Sequence, residues 1–558
     1  MPKSRKPAPV DSRWDSEVRL LAWLATCVSV LAFLFYYRNG EVLLYGDAVA
    51  HINIARRVFD SKTPGLLQLG TVWLPLPHLL MIPFLLSDLM WQRGVGGSIP
   101  SMAAYVFGVV GIFRLVRGAL AREGKPGNFV RFAAWTAAAI YAANPNLIYL
   151  QSTAMGESLY LAFFIWAVVY FTESARGEPK SLVKCGLCLA AACLTRYDGW
   201  LLAVAMAAAI VVRALFSTPA QSQPSRLSRS AVLKFVLLAA TAPMLWLTYN
   251  GIVYRNPLEF ANGPYSAKAI ERKSQNGSNP GHPGSDNPLL AGMYFLKSAE
   301  ANVAENEWLQ RTWVLLAMAS VATAFTLCRR SPVTSNASTP ACWPLAFLLI
   351  PLPFYALSIA YGGVPIFIPK WWPFTHYNVR YGLQLLPAFA VALSLLVYLV
   401  IRSESWNRRW RLGSALAMLA FVAASYGSIW YAGPVSLEEA RVNMRTRTQF
   451  QKELALWLEK LPPNSTILMY LGDHVGAVQR AGIPLSHVIN EGNHRTWKQP
   501  TDPEGLWERA LGNPSQYADY VLAFDGDPVW QAVHGMPLRA LVEIHVTGQA
   551  RAVLYRAR

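Results

Sequence analysis

Eleven stretches of mostly apolar residues, separated by polar or charged loops, constrain this chain more than any other feature of its sequence. They run over 19–38, 98–117, 132–150, 157–174, 181–196, 197–214, 233–253, 309–328, 342–361, 379–401 and 412–432. Crossing a bilayer core takes about 20 such residues in a helix, because lipid offers no hydrogen-bond partner to an open backbone. The pattern predicts a polytopic α-helical membrane protein. Composition agrees, since only 15% of the 558 residues are charged, against about a quarter in a soluble domain.

A twelfth apolar stretch, WLPLPHLLMIPFLLSDLMW at 73–91, is interrupted by Pro75, Pro77, His78, Pro83 and Asp88. Charge decides its place. With 73–91 left at the outer interface, the basic loops 114–131, 176–184, 213–234, 329–330 and 402–411 share one side with the basic N-terminus. The positive-inside rule requires that arrangement. About eleven crossings follow, with a cytoplasmic N-terminus and polar segments 39–97, 254–308, 362–378 and 433–558 outside. These loops account for the net charge of +18. No basic, aromatic-interleaved soluble face points to nucleic acid. The run from Leu20 to Phe35 lacks a small-residue cleavage site and reads as an uncleaved helix.

The chain thus divides into a membrane domain, 1–432, and an extracytoplasmic tail, 433–558. The tail opens with an amphipathic helical pattern, SLEEARVNMRTRTQFQKELALWLEKL. Five β-rich runs follow, STILMYLG, SHVIN, ADYVLAF, LVEIHV and ARAVLYR, and predict a small α/β domain. The Gly-, Pro- and Ser-rich stretch 272–288 reads as a mobile loop. Cys27, Cys185, Cys188, Cys193, Cys328 and Cys342 lie in or beside apolar segments. The Cys185/Cys188 pair has no second pair or His partner nearby in sequence, so packing is the expected role.

The first outer loop, YGDAVAHINIARRVFDSKTPGLLQLGTVWLPLPH, is the most informative segment. Asp47 stands close to the membrane surface, His51 follows one helical turn later on the same face, and Arg56 and Arg57 continue the helix. Capping the helix is the plain alternative role for Asp47. Glu157 lies at the outer end of its span, and the turn LTRYDGW puts Arg196 and Asp198 on the same surface. A mutual salt bridge is their plain alternative. Ionisable groups at membrane depth are costly and point by default to function. The loop after 254 adds Tyr265 and Lys268, and IPKWWPFTHYNVRYGLQLLP adds Lys370, His376 and Arg380. There is no P-loop and no strand-borne G-x-G-x-x-G. An outward-facing enzyme of this kind needs an activated donor that arrives in the membrane.

This layout resembles the C-type (GT-C) integral membrane glycosyltransferase superfamily. The resemblance rests on an acid soon after an N-in first helix, the WLPLPH segment, the LTRYDGW turn, a long outer loop and the NVRYGLQLLP helix start, and it covers 1–432. It implies a polyprenyl-phosphate sugar donor, a hydroxyl acceptor and Asp47 as the general base of an inverting displacement at the anomeric carbon. It also implies that Arg380, with Lys370 or His376, meets the phosphate of the leaving group. His51 and His78 would position sugar or phosphate, and 73–91 would wall a groove for the polyprenyl chain. The pattern departs from many relatives, which carry paired acids where Asp47 is followed by Ala48. No cofactor is required, and a divalent metal shared with Asp198 or Glu157 is left open. A bacterial inner membrane is the expected location. The alternatives are a lipid or glycolipid transporter (flippase) and a non-catalytic cell-envelope assembly subunit. Against a transporter stand the one-faced clustering of charge and the lack of an internal repeat.

Overall fold

The computed structural model describes residues 16–120, 127–176, 178–216, 229–274, 281–330, 343–494 and 503–558. Residues 1–15, Cys342, the side chains of Cys328 and Arg329–Arg330, and parts of the basic loops lie outside that description. Each of the eleven predicted stretches is helical. The helices are Ser16–Arg38, Val95–Leu120, Asn128–Ala142 with Pro145–Gln151, Glu157–Ala175, Pro179–Cys193, Asp198–Phe216, Arg229–Val253, Glu307–Arg330, Pro351–Gly362, Leu386–Arg402 and Arg408–Ala432. A 3-10 turn leads into two of them, Trp343–Leu349 and Val379–Leu385. Seven runs among the described residues are long and apolar enough to cross a membrane, one of them extending from Arg408 to Leu458. The protein is an integral membrane protein.

Residues 73–91 form two short helices, Leu76–Leu85 and Asp88–Gln92. Ten residues at 1.5 Å each reach about 15 Å, half the thickness of a bilayer core. Pro75 and Pro77 stand at the start of the first helix, Pro83 lies inside it, and the Ser87 hydroxyl accepts from the Met90 amide to start the second. The stretch 272–288 is less open than its composition suggests. Helix Ala267–Ser274 extends into it, residues 275–280 lie outside the described residues, and His282 bonds to Glu271 and to the Ile359 carbonyl.

Two glycines allow close approaches that place charged side chains. A Cβ on Gly199 would stand 2.7 Å from the Ala192 backbone, and one on Gly382 only 2.3 Å from the backbone of Ser298 and Ala299. Either would force apart elements carrying the Arg196–Asp198 turn or Arg380.

Beyond the last membrane helix, Val435–Leu458 runs about 36 Å at standard rise. It leads into five strands, β1 (Ile467–Met469), β2 (Val488–Ile489), β3 (Tyr520–Phe524), β4 (Arg539–Ile544) and β5 (Ala552–Arg556), ordered β2-β1-β3-β5-β4. The first three are parallel, joined by helical crossovers, and β5 and β4 close the sheet antiparallel. Alternation along the strands serves two cores. Ile467, Met469, Leu522 and Phe524 join the main apolar cluster with Phe450 and Leu454, while Leu468, Val521 and Ala523 pack with Trp507 and Val529.

Candidate active site

The helix Gly46–Arg57 begins eight residues after the first membrane helix ends. Tyr45 is its N-cap residue and no side chain caps it, so Asp47 sits in the first turn without a capping bond. Its carboxylate instead meets Arg380, Nη2 to Oδ2 2.5 Å. The rest of the Arg380 guanidinium is also committed. Nε reaches Glu157 Oε1 at 3.2 Å and Nη1 bonds Glu439, whose other oxygen accepts the Val379 amide at 2.6 Å. The guanidinium carbon lies 4.9 Å from the Tyr45 ring centroid and 5.1 Å from that of Tyr381.

A second arginine shares Glu157. Arg196 Nη1 lies 3.3 Å from Glu157 Oε1, and its Nε lies 3.3 Å from Asp198. Its Nη2 donates to the Tyr355 hydroxyl at 2.8 Å, and that hydroxyl donates to Asp198 at 3.2 Å. The Arg196–Asp198 bridge expected from the turn is therefore present, as one part of a larger network. Four carboxylates (Asp47, Glu157, Asp198, Glu439) surround two guanidiniums. Three of the four acids are almost sealed, with side chains at most 1% exposed, while that of Asp47 is 39% exposed. Glu157 Oε2 is buried and has no hydrogen-bond partner.

Beside this network His51 Nδ1 and His78 Nε2 stand 2.8 Å apart, and the His51 ring packs on Trp73. Burial holds His51 below the ordinary imidazole range, against the pull of Asp47 and Glu157. His78 is fully buried with Nδ1 unpartnered, and Arg57 acts on it electrostatically. Arg57 itself has a buried Nε without a partner. No carboxylate stands within ion-pair distance of it among the described residues, although Glu491 acts on it electrostatically.

Of the residues singled out in the sequence, Asp47, Glu157, Arg196, Asp198 and Arg380 thus come together, with His51 and His78 alongside. Tyr265, Lys268, Lys370 and His376 bond to no member of the network. Lys370 pairs with Glu305 at 2.7 Å, Tyr265 lies beside Tyr470 of the tail, Lys268 is exposed, and the His376 carbonyl accepts from Asn443. Sequence reasoning missed Tyr45, Tyr355, Tyr381 and Glu439. The Glu438–Glu439 pair in the tail's amphipathic helix was a weak signal, but only packing shows that Glu439 is the one facing inward. Arg447 was missed too. Its Nη1 lies 2.7 Å from where a Cβ on Gly46 would stand, and its Nη2 lies 3.3 Å from Asp473. Among the described residues no group of three or more His, Cys, Asp or Glu is arranged to hold a metal ion.

No family model and no curated protein sequence matches the chain. Solved structures do. ArnT from Cupriavidus metallidurans bound to undecaprenyl phosphate superposes with a TM-score of 0.53 at 12% identity, over 97% of this chain and 98% of its own. Its apo form gives 0.54 at 12% identity, over 97% and 99%. An oligosaccharyltransferase from Archaeoglobus fulgidus is more distant, with a TM-score of 0.47 at 12% identity over 92% of this chain and 70% of its own. The end-to-end likeness to ArnT gives this chain the fold of the integral membrane GT-C glycosyltransferases.

Proposed function

We propose that this protein is a membrane glycosyltransferase that moves a sugar from a polyprenyl-phosphate donor to a hydroxyl acceptor, with inversion. The observation that carries the reading is the contrast within the acid network. Asp47 is the one carboxylate of the four that opens outward, and Arg380 holds it in a single orientation. A general base must sit within hydrogen-bond reach of the proton it takes. An acceptor hydroxyl approaching Asp47 from outside meets that condition; the three sealed acids do not offer it.

The attacking oxygen forms its bond to the anomeric carbon as the bond to the phosphate oxygen breaks, and Asp47 takes the hydroxyl proton. The electron pair of the broken bond stays on the phosphate oxygen, so the leaving phosphate gains a negative charge and needs a cation rather than a proton. Arg380 and Arg196 are already outnumbered by carboxylates, so they serve mainly to orient Asp47 and Glu157. Arg57, which makes no ion pair among the described residues and feels only the more distant charge of Glu491, is the better phosphate contact, with the unpartnered Nδ1 of His78 near it. The undecaprenyl phosphate bound to ArnT supports a lipid-linked donor here. The membrane part, 1–432, holds most of the site. The tail, 433–558, contributes Glu439 and faces the same side, outside a cytoplasmic membrane whose inner face carries the N-terminus.

The test is transfer of label from a panel of polyprenyl-phosphate sugars into membranes of the producing cell, by the purified full-length protein and by Asp47→Asn. Label transfer that Asp47→Asn abolishes while thermal unfolding stays unchanged is the expected result. Full transfer by Asp47→Asn removes Asp47 as base. Donor movement across the bilayer without transfer makes the protein a flippase.

A further inference from the structure

A cleft of about 440 Å³ opens where the first membrane helix ends, between residues that follow Arg38 and the long helix Val435–Leu458. Asn39 and Glu41 form one wall. Arg441, Thr448 and Lys452 form the second, and Arg480 closes the third side. Residues 441, 448 and 452 are spaced seven and then four apart, so they stand in one row on their helix. Three cations face a single carboxylate. Arg441 is spent on Glu41 at 2.5 Å and Glu438 at 2.7 Å. Lys452 and Arg480 have no ionic or hydrogen-bonding partner among the described residues, and both are exposed.

The setting of this cleft separates it from an ordinary solvated basic surface. Leu31 and Phe35 are 67% and 58% exposed. With Asn39 they fall at four-residue intervals, so one uncovered apolar stripe of the first helix leads up to the wall of the cleft. A small soluble anion would use the cations and leave the stripe bare. A lipid uses both. Its phosphate meets two unpaired cations together with the Thr448 hydroxyl and the Asn39 amide, while its chains lie along Leu31 and Phe35. Charge-assisted bonds of this kind are about twice as strong as neutral ones.

We propose that this cleft binds the phosphate headgroup of a membrane lipid, in the leaflet on the side that carries the C-terminal sheet. The site is separate from the Asp47 network and stands whether or not the chain transfers sugar. The test uses full-length protein in a nonionic detergent, titrated by calorimetry with short-chain phosphatidylglycerol, short-chain phosphatidylcholine and inorganic phosphate. Phosphatidylglycerol is expected to bind at least tenfold tighter than phosphatidylcholine, whose choline offsets the phosphate charge. The double variant Lys452→Gln/Arg480→Gln, at two exposed positions, is expected to lose at least tenfold for phosphatidylglycerol with its unfolding temperature unchanged. Equal affinity for the two lipids, or an unchanged double variant, overturns the proposal. So does inorganic phosphate that displaces phosphatidylglycerol at comparable concentration, since the cleft would then be a free-anion site.

Discussion

The helix Gly46–Arg57 carries an arginine-centred network at each end, and the two are built differently. At its C-terminal end Arg56 bonds Asp60 at 2.8 Å, Asp88 at 2.6 Å and the Leu85 carbonyl at 2.6 Å, with its guanidinium over Phe59 and Trp91. Asp60 in turn accepts the Ser486 amide at 2.9 Å and that of Leu485 at 3.2 Å. Three stretches of chain are tied together there, and no oxygen of Arg56's acids is buried without a partner. At the N-terminal end acids outnumber arginines four to two, Glu157 Oε2 is orphaned, and Asp47 faces out. Unsatisfied buried oxygens are costly in a fold that binds nothing. One network holds the loop in place, and the other is left incomplete in the way a site for a ligand would be.

The largest effects test that contrast directly. Asp47→Asn keeps the shape and removes the proposed base, so transfer is expected to fall by about 10²–10⁴. Thermal unfolding should barely move, because this side chain is the exposed member of its network. A large loss of stability would instead make both networks structural. Arg56→Met is the converse case. It leaves the Asp60 carboxylate with the Leu485 and Ser486 amides and no cation, and is expected to cost about 3 kcal/mol. The readout is chemical unfolding in detergent, and protein that remains folded should still transfer label. If Arg56→Met is as stable as the wild type, the proposed division of labour fails.

A pH series sharpens the comparison by isolating the tail. His474 is stacked on Phe524, and burial lowers its pKa from 6.5 to about 4. The unfolded chain takes up a proton that the fold refuses, so stability is lost as pH falls from 6.5 towards 4. The full shift corresponds to about 3 kcal/mol. Asp527 works the other way. Burial raises it from 3.8 to about 6, so the fold holds a proton that the unfolded chain releases, and stability grows as pH falls through that window. The wild-type tail is therefore expected to be nearly flat from pH 6 to 4. His474→Phe keeps the ring stack and removes the opposing titration, so its β3 amides should become better protected on acidification. Hydrogen exchange corrected for intrinsic rates measures this. The smallest effect belongs to Tyr45→Phe, which loses the 2.7 Å bond to the Ser436 carbonyl but keeps the ring against Arg380. About 1 kcal/mol of stability is expected to go, with transfer retained.

Much of this is legible in the sequence. Apolar length located all eleven helical stretches, proline interruptions set 73–91 apart from them, and β-rich runs located the five strands, because each signal is local. Asp47, Glu157, Arg196, Asp198 and Arg380 could be singled out because charge next to an apolar span is conspicuous. Lys370 and His376 stood out for the same reason, yet they bond elsewhere. Conspicuousness in sequence does not report who the neighbour is. Tyr355 and Tyr381 were invisible, since a tyrosine in an apolar helix reads as core until an arginine is found beside it.

By itself the sequence determined where the chain can cross a membrane, since hydrocarbon admits only segments that satisfy their own backbone, and which side chains are too costly to be there by accident. Only the tertiary structure decided how those charges pair. Arg380 meets Asp47 across 333 residues, Glu157 across 223 and Glu439 across 59. Ion pairing depends on ångström separations that no local pattern encodes. The same pairing decided that Asp47 is the acid left open and that Arg57, Lys452 and Arg480 make no ion pair among the described residues.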